Sequence, residues 1–133
     1  MSEDLKCRIL IVEDHADSAV MLTRLLKRAG YDVYTAGKVA EALQVAQSAY
    51  EEARPFQLVV SDLGLPDGTG YDLMKKLRDS HHLPGIALSG YGQAEDVRRA
   101  MEAGFSHHLT KPIDFDRLKL AMQDLLNSQP AAA

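Results

Sequence analysis

Cysteine occurs once in the 133 residues. Cys7 has no partner for an internal disulfide, which excludes a disulfide-stapled scaffold and points to a reducing cytoplasm. No apolar run approaches the roughly 20 residues that cross a bilayer, and no signal-peptide pattern precedes the first apolar run. Membrane contact by this domain is therefore not expected. Basic residues are outnumbered 15 to 19, for a formal net charge of −4. A nucleic-acid-binding surface would show a basic patch, so direct nucleic-acid binding is not expected either. Repeats, low-complexity stretches and domain linkers are also lacking. One domain over residues 1–133 is expected, with its core at about 8–126 and residues 127–133 a frayed tail. With 46% hydrophobic and 26% charged residues, the composition is that of an ordinary globular chain able to bury a core.

Apolar runs and helix-spaced stripes alternate along the chain. Arg8 to Val12 reads as a strand, and Ala16 to Leu26 as a helix stopped by Gly30. Tyr31 to Ala36 is a second strand, and Val39 to Tyr50 a helix about a turn longer than a compact connection needs. Leu58 to Asp62 forms a strand buried on both faces, and Tyr71 to Arg78 a third helix. Pro84 to Leu88, Gln93 to Ala103 and His107 to Thr110 follow as strand, helix and strand. Asp114 caps a last helix with the stripe Leu118, Met122, Leu125 and Leu126. Five alternations with short connections predict an α/β fold, a doubly wound five-stranded parallel sheet with five helices. Right-handed crossovers favour strand order 2-1-3-4-5, the flavodoxin-like layout.

In a parallel sheet all carboxyl ends of the strands lie along one edge. Glu13 and Asp14 end the first strand, Asp62 the third, Ser89 the fourth and Lys111 the fifth. The first and third strands flank the point where strand order reverses, so their carboxylates share a crevice. Each close pair repels by about 1 kcal/mol at 4 Å in water, and about 4 kcal/mol at an effective dielectric of 20. A hard divalent cation relieves this, Mg²⁺ or alternatively Mn²⁺. An anionic phosphoryl group could then approach, with Lys111 and the Ser89 hydroxyl as donors and Asp62 as nucleophile. Taken singly, these residues have ordinary readings as helix-start acids, a turn serine and a solvated lysine. Their placement at successive strand ends makes coincidence a poor explanation.

The motifs Val-Glu-Asp at 12–14, Ser-Asp-Leu-x-Leu-Pro-x-x-x-Gly at 61–70, Ala-Leu-Ser-Gly-Tyr at 87–91 and Leu-Thr-Lys-Pro at 109–112 together resemble the receiver domain of two-component response regulators. The resemblance runs from about Arg8 to Leu126, and is greatest to receivers of hybrid sensor histidine kinases. It implies that Asp62 accepts a phosphoryl group from a phosphohistidine on a histidine kinase or phosphotransfer protein, with a kinase core attached in hybrid chains. It implies a Mg²⁺ site formed by Glu13, Asp14, Asp62 and the backbone carbonyl of Gly64. Lys111 would pair with phosphoryl oxygens, and Ser89 would be the hydroxyl that moves toward them on activation. Gly90, Tyr91 and Pro112 would rim the pocket, and the Lys111-Pro112 bond would be cis. His108 stands where many members carry Tyr or Phe as the lever of the switch. Imidazole is more polar than a phenol or phenyl ring, and costs more to bury without a hydrogen-bond partner. A weak lever is expected.

Three rivals share some of these features. A flavin- or dinucleotide-binding protein would need a phosphate-cradling Gly-rich loop after the first strand, where Glu13-Asp14 would repel a phosphate. A Mg²⁺-dependent phosphohydrolase with Asp62 as nucleophile resembles enzymes that place a second Asp two residues on, and Gly64 stands there. A non-phosphorylated scaffold would not need the intact set. A turnover enzyme is thus not expected. Among the histidines, His81-His82 fall in a loop and His107-His108 point to opposite faces of a strand, without the spacing of a transition-metal site. His15 abuts the acid pair, where bordering the pocket and helix-start polarity explain it equally well. Tyr31, Tyr34 and Tyr50 are expected to pack.

Overall fold

Each apolar strand feeds a helix that returns the chain to the same edge, and this repetition produces one parallel sheet. The computed structural model describes residues 7–90 and 93–128. The elements run β1 (Arg8–Val12), α1 (Ala16–Arg28), β2 (Asp32–Ala36), α2 (Val39–Glu51) and β3 (Leu58–Asp62). Then come β4 (Gly64–Leu65), β5 (Gly68–Thr69), α3 (Gly70–His81), β6 (Gly85–Ser89), α4 (Ala94–Ala103), β7 (Phe105–Thr110) and α5 (Phe115–Ser128). The main sheet has the order β2-β1-β3-β6-β7, with every neighbour parallel. This is the expected 2-1-3-4-5 once the separate two-residue hairpin β4-β5 is set aside. That hairpin lies in the Gly- and Pro-containing stretch between Asp62 and the third helix.

Side-chain alternation along the strands splits the core into two layers. Leu10, Val12, Val59 and Ala87 pack against α2, α3 and α4 through Ala42, Ala46, Leu73, Met74, Leu77 and Ala100. Ile9, Ile11, Leu58, Val60, Ile86 and Leu88 pack on the other side with Leu22 and Leu26 of α1 and Leu118, Met122 and Leu125 of α5. β3 and β6 are buried along their whole length, which fixes their register from both faces.

Several boundaries differ from the sequence reading for local reasons. Tyr31 stays outside β2 because its N–H closes the end of α1 on Leu26 O at 3.0 Å. Pro84 has no N–H for the ladder, so β6 starts at Gly85 and runs on through Ser89. β7 begins two residues early, at Phe105, and carries a register shift opposite Gly85/Ile86. α3 is longer than expected: the Thr69 side chain accepts from Asp72 N, and the helix ends on left-handed His82. α2 extends to Glu51 and turns at Ala53, whose φ is 60°. Tyr34 meets Phe56 edge-on, and Tyr50 lies against His81. Both tyrosines keep about half of their surface exposed, so they pack only in part.

Among the described glycines, the one with least room for a side chain lies where α3 leaves the hairpin. Gly70 N–H donates to Leu63 O at 2.9 Å, and a Cβ on Gly70 would collide with the Asp62 carbonyl oxygen and lie 3.0 Å from Leu63 Cα. Backbone atoms cannot swing aside as a flexible side chain can. Gly70→Ala should therefore lower unfolding free energy by about 1–3 kcal/mol, the usual range for overpacking. Urea denaturation measures it, and an unchanged midpoint would show that the loop can move away.

Candidate functional site

The carboxyl edge of the sheet gathers its polar residues because each apolar strand stops there. Asp62 ends β3 with only 7% of its surface exposed, and Glu13 follows β1 with 3% exposed. The Glu13 N–H is tied to Ala36 O at 2.9 Å, and the Leu63 N–H donates to Asp62 Oδ1 at 3.1 Å. Lys111 follows β7, its backbone N–H held by Ser89 O at 2.7 Å. Its ammonium donates to Glu13 Oε1 and to Asp62 Oδ2, both at 2.9 Å. One cation thus joins buried acids from two different strands. The peptide bond between Lys111 and Pro112 is cis.

The sequence places Asp14 beside this pair, and the structure does so as well. Glu13, Asp14, His15 and Asp62 each offer one ligand atom within a span of 4.8 Å. His15 enters more intimately than helix-start polarity alone suggests: its Nδ1 lies 3.2 Å from Glu13 Oε2 and 3.4 Å from Asp14 Oδ1. Gly64, two residues beyond Asp62, opens the β4-β5 hairpin, and Gly90 borders open space. Pro112 joins Glu13, Lys111, Leu22, Ile113 and Phe115 around a largely apolar cavity of about 520 Å³ between α1 and α5. Tyr91 lies outside the described residues.

Charge explains how the acids coexist. Burial pushes the Asp62 carboxyl above its ordinary range; Lys111 pulls it back only in part, and the neighbouring Glu13 adds to the rise. Burial acts on Glu13 in the same sense, but its bonds with Lys111, Asp62 and His15 outweigh that and bring it to about 2. Burial pulls the Lys111 ammonium down, and its bonds to Asp62 and Glu13 more than offset this, leaving it raised. The bond to Glu13 and the charge of Asp14 also hold His15 above its ordinary value. Three carboxylates face one ammonium, and the donors are hard oxygens. Such a set fits a hard divalent cation of the Mg²⁺ type, which would balance the remaining charge.

Ser89 and His108 are brought together. The Ser89 hydroxyl and His108 Nε2 lie 2.8 Å apart, with Ser89 buried and His108 half-buried. The sequence reading has His108 costly to bury for want of a partner, whereas here the partner is Ser89. His107, its neighbour on β7, turns the other way and meets Asp124 Oδ2 at 2.8 Å. Sequence reasoning missed Asp67, which reads as a turn residue before Gly68. Its carboxylate accepts hydrogen bonds from Val39 N and Ala40 N at 2.7 and 3.0 Å. Only the tertiary fold brings together residues 28 and 27 positions apart.

The sign of the Asp62 effect on stability follows from its raised value. A carboxyl raised in the fold contributes stability below its ordinary pKa and loses it as pH rises through the raised one. At neutral pH, ionised Asp62 is therefore a cost to the metal-free protein. Asp62→Asn should raise its melting temperature at pH 7 by about 4 °C, equivalent to ~1 kcal/mol. The gain should shrink as pH falls toward the carboxylate range. Calorimetry in chelator across pH 4–8 checks this, and a lower melting temperature for the variant at pH 7 would refute it.

Comparison with known proteins agrees with this geometry. The family described as "Response regulator receiver domain" matches residues 9–123. The chain is 35% identical over 128 residues to an uncharacterized 14.6 kDa protein of Leptolyngbya boryana, covering 93% of this chain and 94% of that one. It is 31% identical over 121 residues to the sensor protein EvgS of Escherichia coli K12, covering 90% of this chain but only 10% of that protein. The non-phosphorylated HemR receiver domain of Leptospira biflexa superposes with a TM-score of 0.83 at 28% identity, covering 96% of this chain and all of that one. Fold, strand-end chemistry and sequence thus agree, and this chain belongs to the response regulator receiver domain family, the phosphoacceptor signalling modules of two-component systems.

Proposed function

We propose that Asp62 is the phosphoacceptor, and that the chain from Arg8 to Leu126 is one receiver module taking phosphoryl groups from a histidine kinase or phosphotransfer protein in the cytoplasm. The observation that carries this is the Lys111 ammonium bridging Glu13 and Asp62 at 2.9 Å from each. In the reaction an Asp62 carboxylate oxygen bonds to phosphorus as the phosphorus–nitrogen bond of the donor breaks, and the donor imidazole leaves with that electron pair. Glu13, Asp14, Asp62 and the Gly64 carbonyl would hold Mg²⁺ or Mn²⁺, which when bound neutralises charge on the carboxylates and on the incoming oxygens. Lys111 then turns from the Asp62 carboxylate to a phosphoryl oxygen, and the Ser89 hydroxyl donates to another. Gly90 and Pro112 rim the opening. Receiver domains are generally not turnover enzymes. With Gly64 lacking a proton-donating side chain, hydrolysis here is slow and the module stores or relays the group. The match to a sensor protein supports an attached kinase core as one context.

Mass spectrometry of the intact protein with acetyl phosphate is the test. A single phosphoryl adduct is expected with Mg²⁺ and none in chelator or in Asp62→Asn. An adduct of equal yield in Asp62→Asn would move the acceptor elsewhere.

The Ser89–His108 bond bears on the switch. When Ser89 turns to the phosphoryl group, His108 Nε2 loses its partner; a fully buried polar atom so stranded costs about 1–3 kcal/mol, and the half-buried ring bears part of that. The phosphorylated state is therefore opposed, leaving both conformations populated. Amide chemical shifts in α4 and β7 with beryllofluoride should be intermediate for the wild type and complete for His108→Tyr. A complete shift in both proteins would show that His108 imposes no such cost.

A further inference from the structure

The start of α2 is capped from a distance. Lys38, at the N-cap position, makes no side-chain cap bond. The two oxygens of Asp67, from the hairpin after Asp62, instead accept from Val39 N at 2.7 Å and Ala40 N at 3.0 Å. A carboxylate on a helix N-terminus is favoured by charge as well as by hydrogen bonding. The contact continues into packing: a Cβ on Gly68 would come within 3.2 Å of Val39 Cγ2, and Leu65 packs on the core layer that holds Val39.

The other side of that helix start is fixed to the acid pair. Glu13 N–H donates to Ala36 O at 2.9 Å, and Gly37 N–H is held by Glu41 Oε1 at 2.7 Å. Gly37 itself lies against the Glu13 and Asp14 backbone, where a Cβ would be 3.9 Å from Glu13 O and from Asp14 Cα. A chain of contacts therefore runs from Glu13-Asp14 through the start of α2 to Asp67, and back along the hairpin through Gly64 to Asp62. It ties together the two strand ends whose like charges push them apart.

We propose that Asp67 is a positioning residue: by clamping the hairpin to α2 it holds the Gly64 carbonyl and Asp62 at cation-binding distance from Glu13 and Asp14. This rests on the reading of those residues as the metal cradle. Capping of α2 and positioning of the cradle are separable functions of Asp67. A serine at position 38 would cap the helix locally without touching the hairpin.

The experiment is a Mg²⁺ titration of the whole chain, without phosphodonor, followed by NMR of the Asp14, Leu63 and Gly64 amides, with melting temperatures alongside. Asp67→Ala should raise the Mg²⁺ half-saturation roughly tenfold, the lower end of what loss of a supporting partner costs a metal site. Asp67→Asn, which keeps an acceptor, should recover part of it. Adding Lys38→Ser to Asp67→Ala should restore the melting temperature and leave Mg²⁺ binding weak. Wild-type affinity in Asp67→Ala, or affinity restored together with stability by Lys38→Ser, would overturn the clamp and leave Asp67 a helix cap. A wild type whose amides ignore Mg²⁺ would overturn the cradle reading, and the clamp with it.

Discussion

One ammonium between two buried carboxylates is the interaction on which the rest of this molecule is arranged. Lys111 reaches Glu13 and Asp62 only because β7 and β1 lie on opposite sides of the β3-β6 pair and all strands stop at the same edge. A shift of one residue in either buried central strand would turn its apolar side chains out of their layer. The two-layer core thus does more than stabilise the fold. It sets the separation of three like charges that their mutual repulsion would otherwise drive apart.

The same arrangement makes the site poor in stability and rich in chemistry. Glu13 keeps its charge at the expense of Asp62, whose carboxyl is pushed up by burial and by its neighbour. The acid whose charge is least comfortable is the one that ends a strand buried along its whole length. Its comfort depends on partners that arrive from outside or that swing in. Ligand sites are commonly built this way, with local strain tolerated because the surrounding structure is over-determined.

Much of this was legible in the sequence, and the reasons are physical. The apolar runs of β1, β3 and β6 have one stable arrangement, and the polar residues that stop them must lie at one edge, so Glu13, Asp14, Asp62, Ser89 and Lys111 could be grouped before any coordinates. What escaped were bonds between side chains and distant backbone or distant side chains. Asp67 looks like any turn aspartate before a glycine, and its bonds to Val39 and Ala40 need the crossover to exist first. The partner of His108 was invisible because pairing across β6 and β7 depends on a register shift that leaves no signature in Ser106 or its neighbours. The short hairpin was hidden because two-residue strands have no periodicity to detect.

That register shift has a consequence of its own. Gly85 pairs with Phe105, but Ile86 pairs with His107, so one residue of β7 is taken up without a partner in β6. Everything beyond it is turned over relative to an unbroken ladder. Hence His108, rather than His107, shares a face with Ser89, while His107 is left to Asp124 on α5. Two chemically identical side chains, adjacent in the chain, are assigned to opposite surfaces by a single looped-out residue.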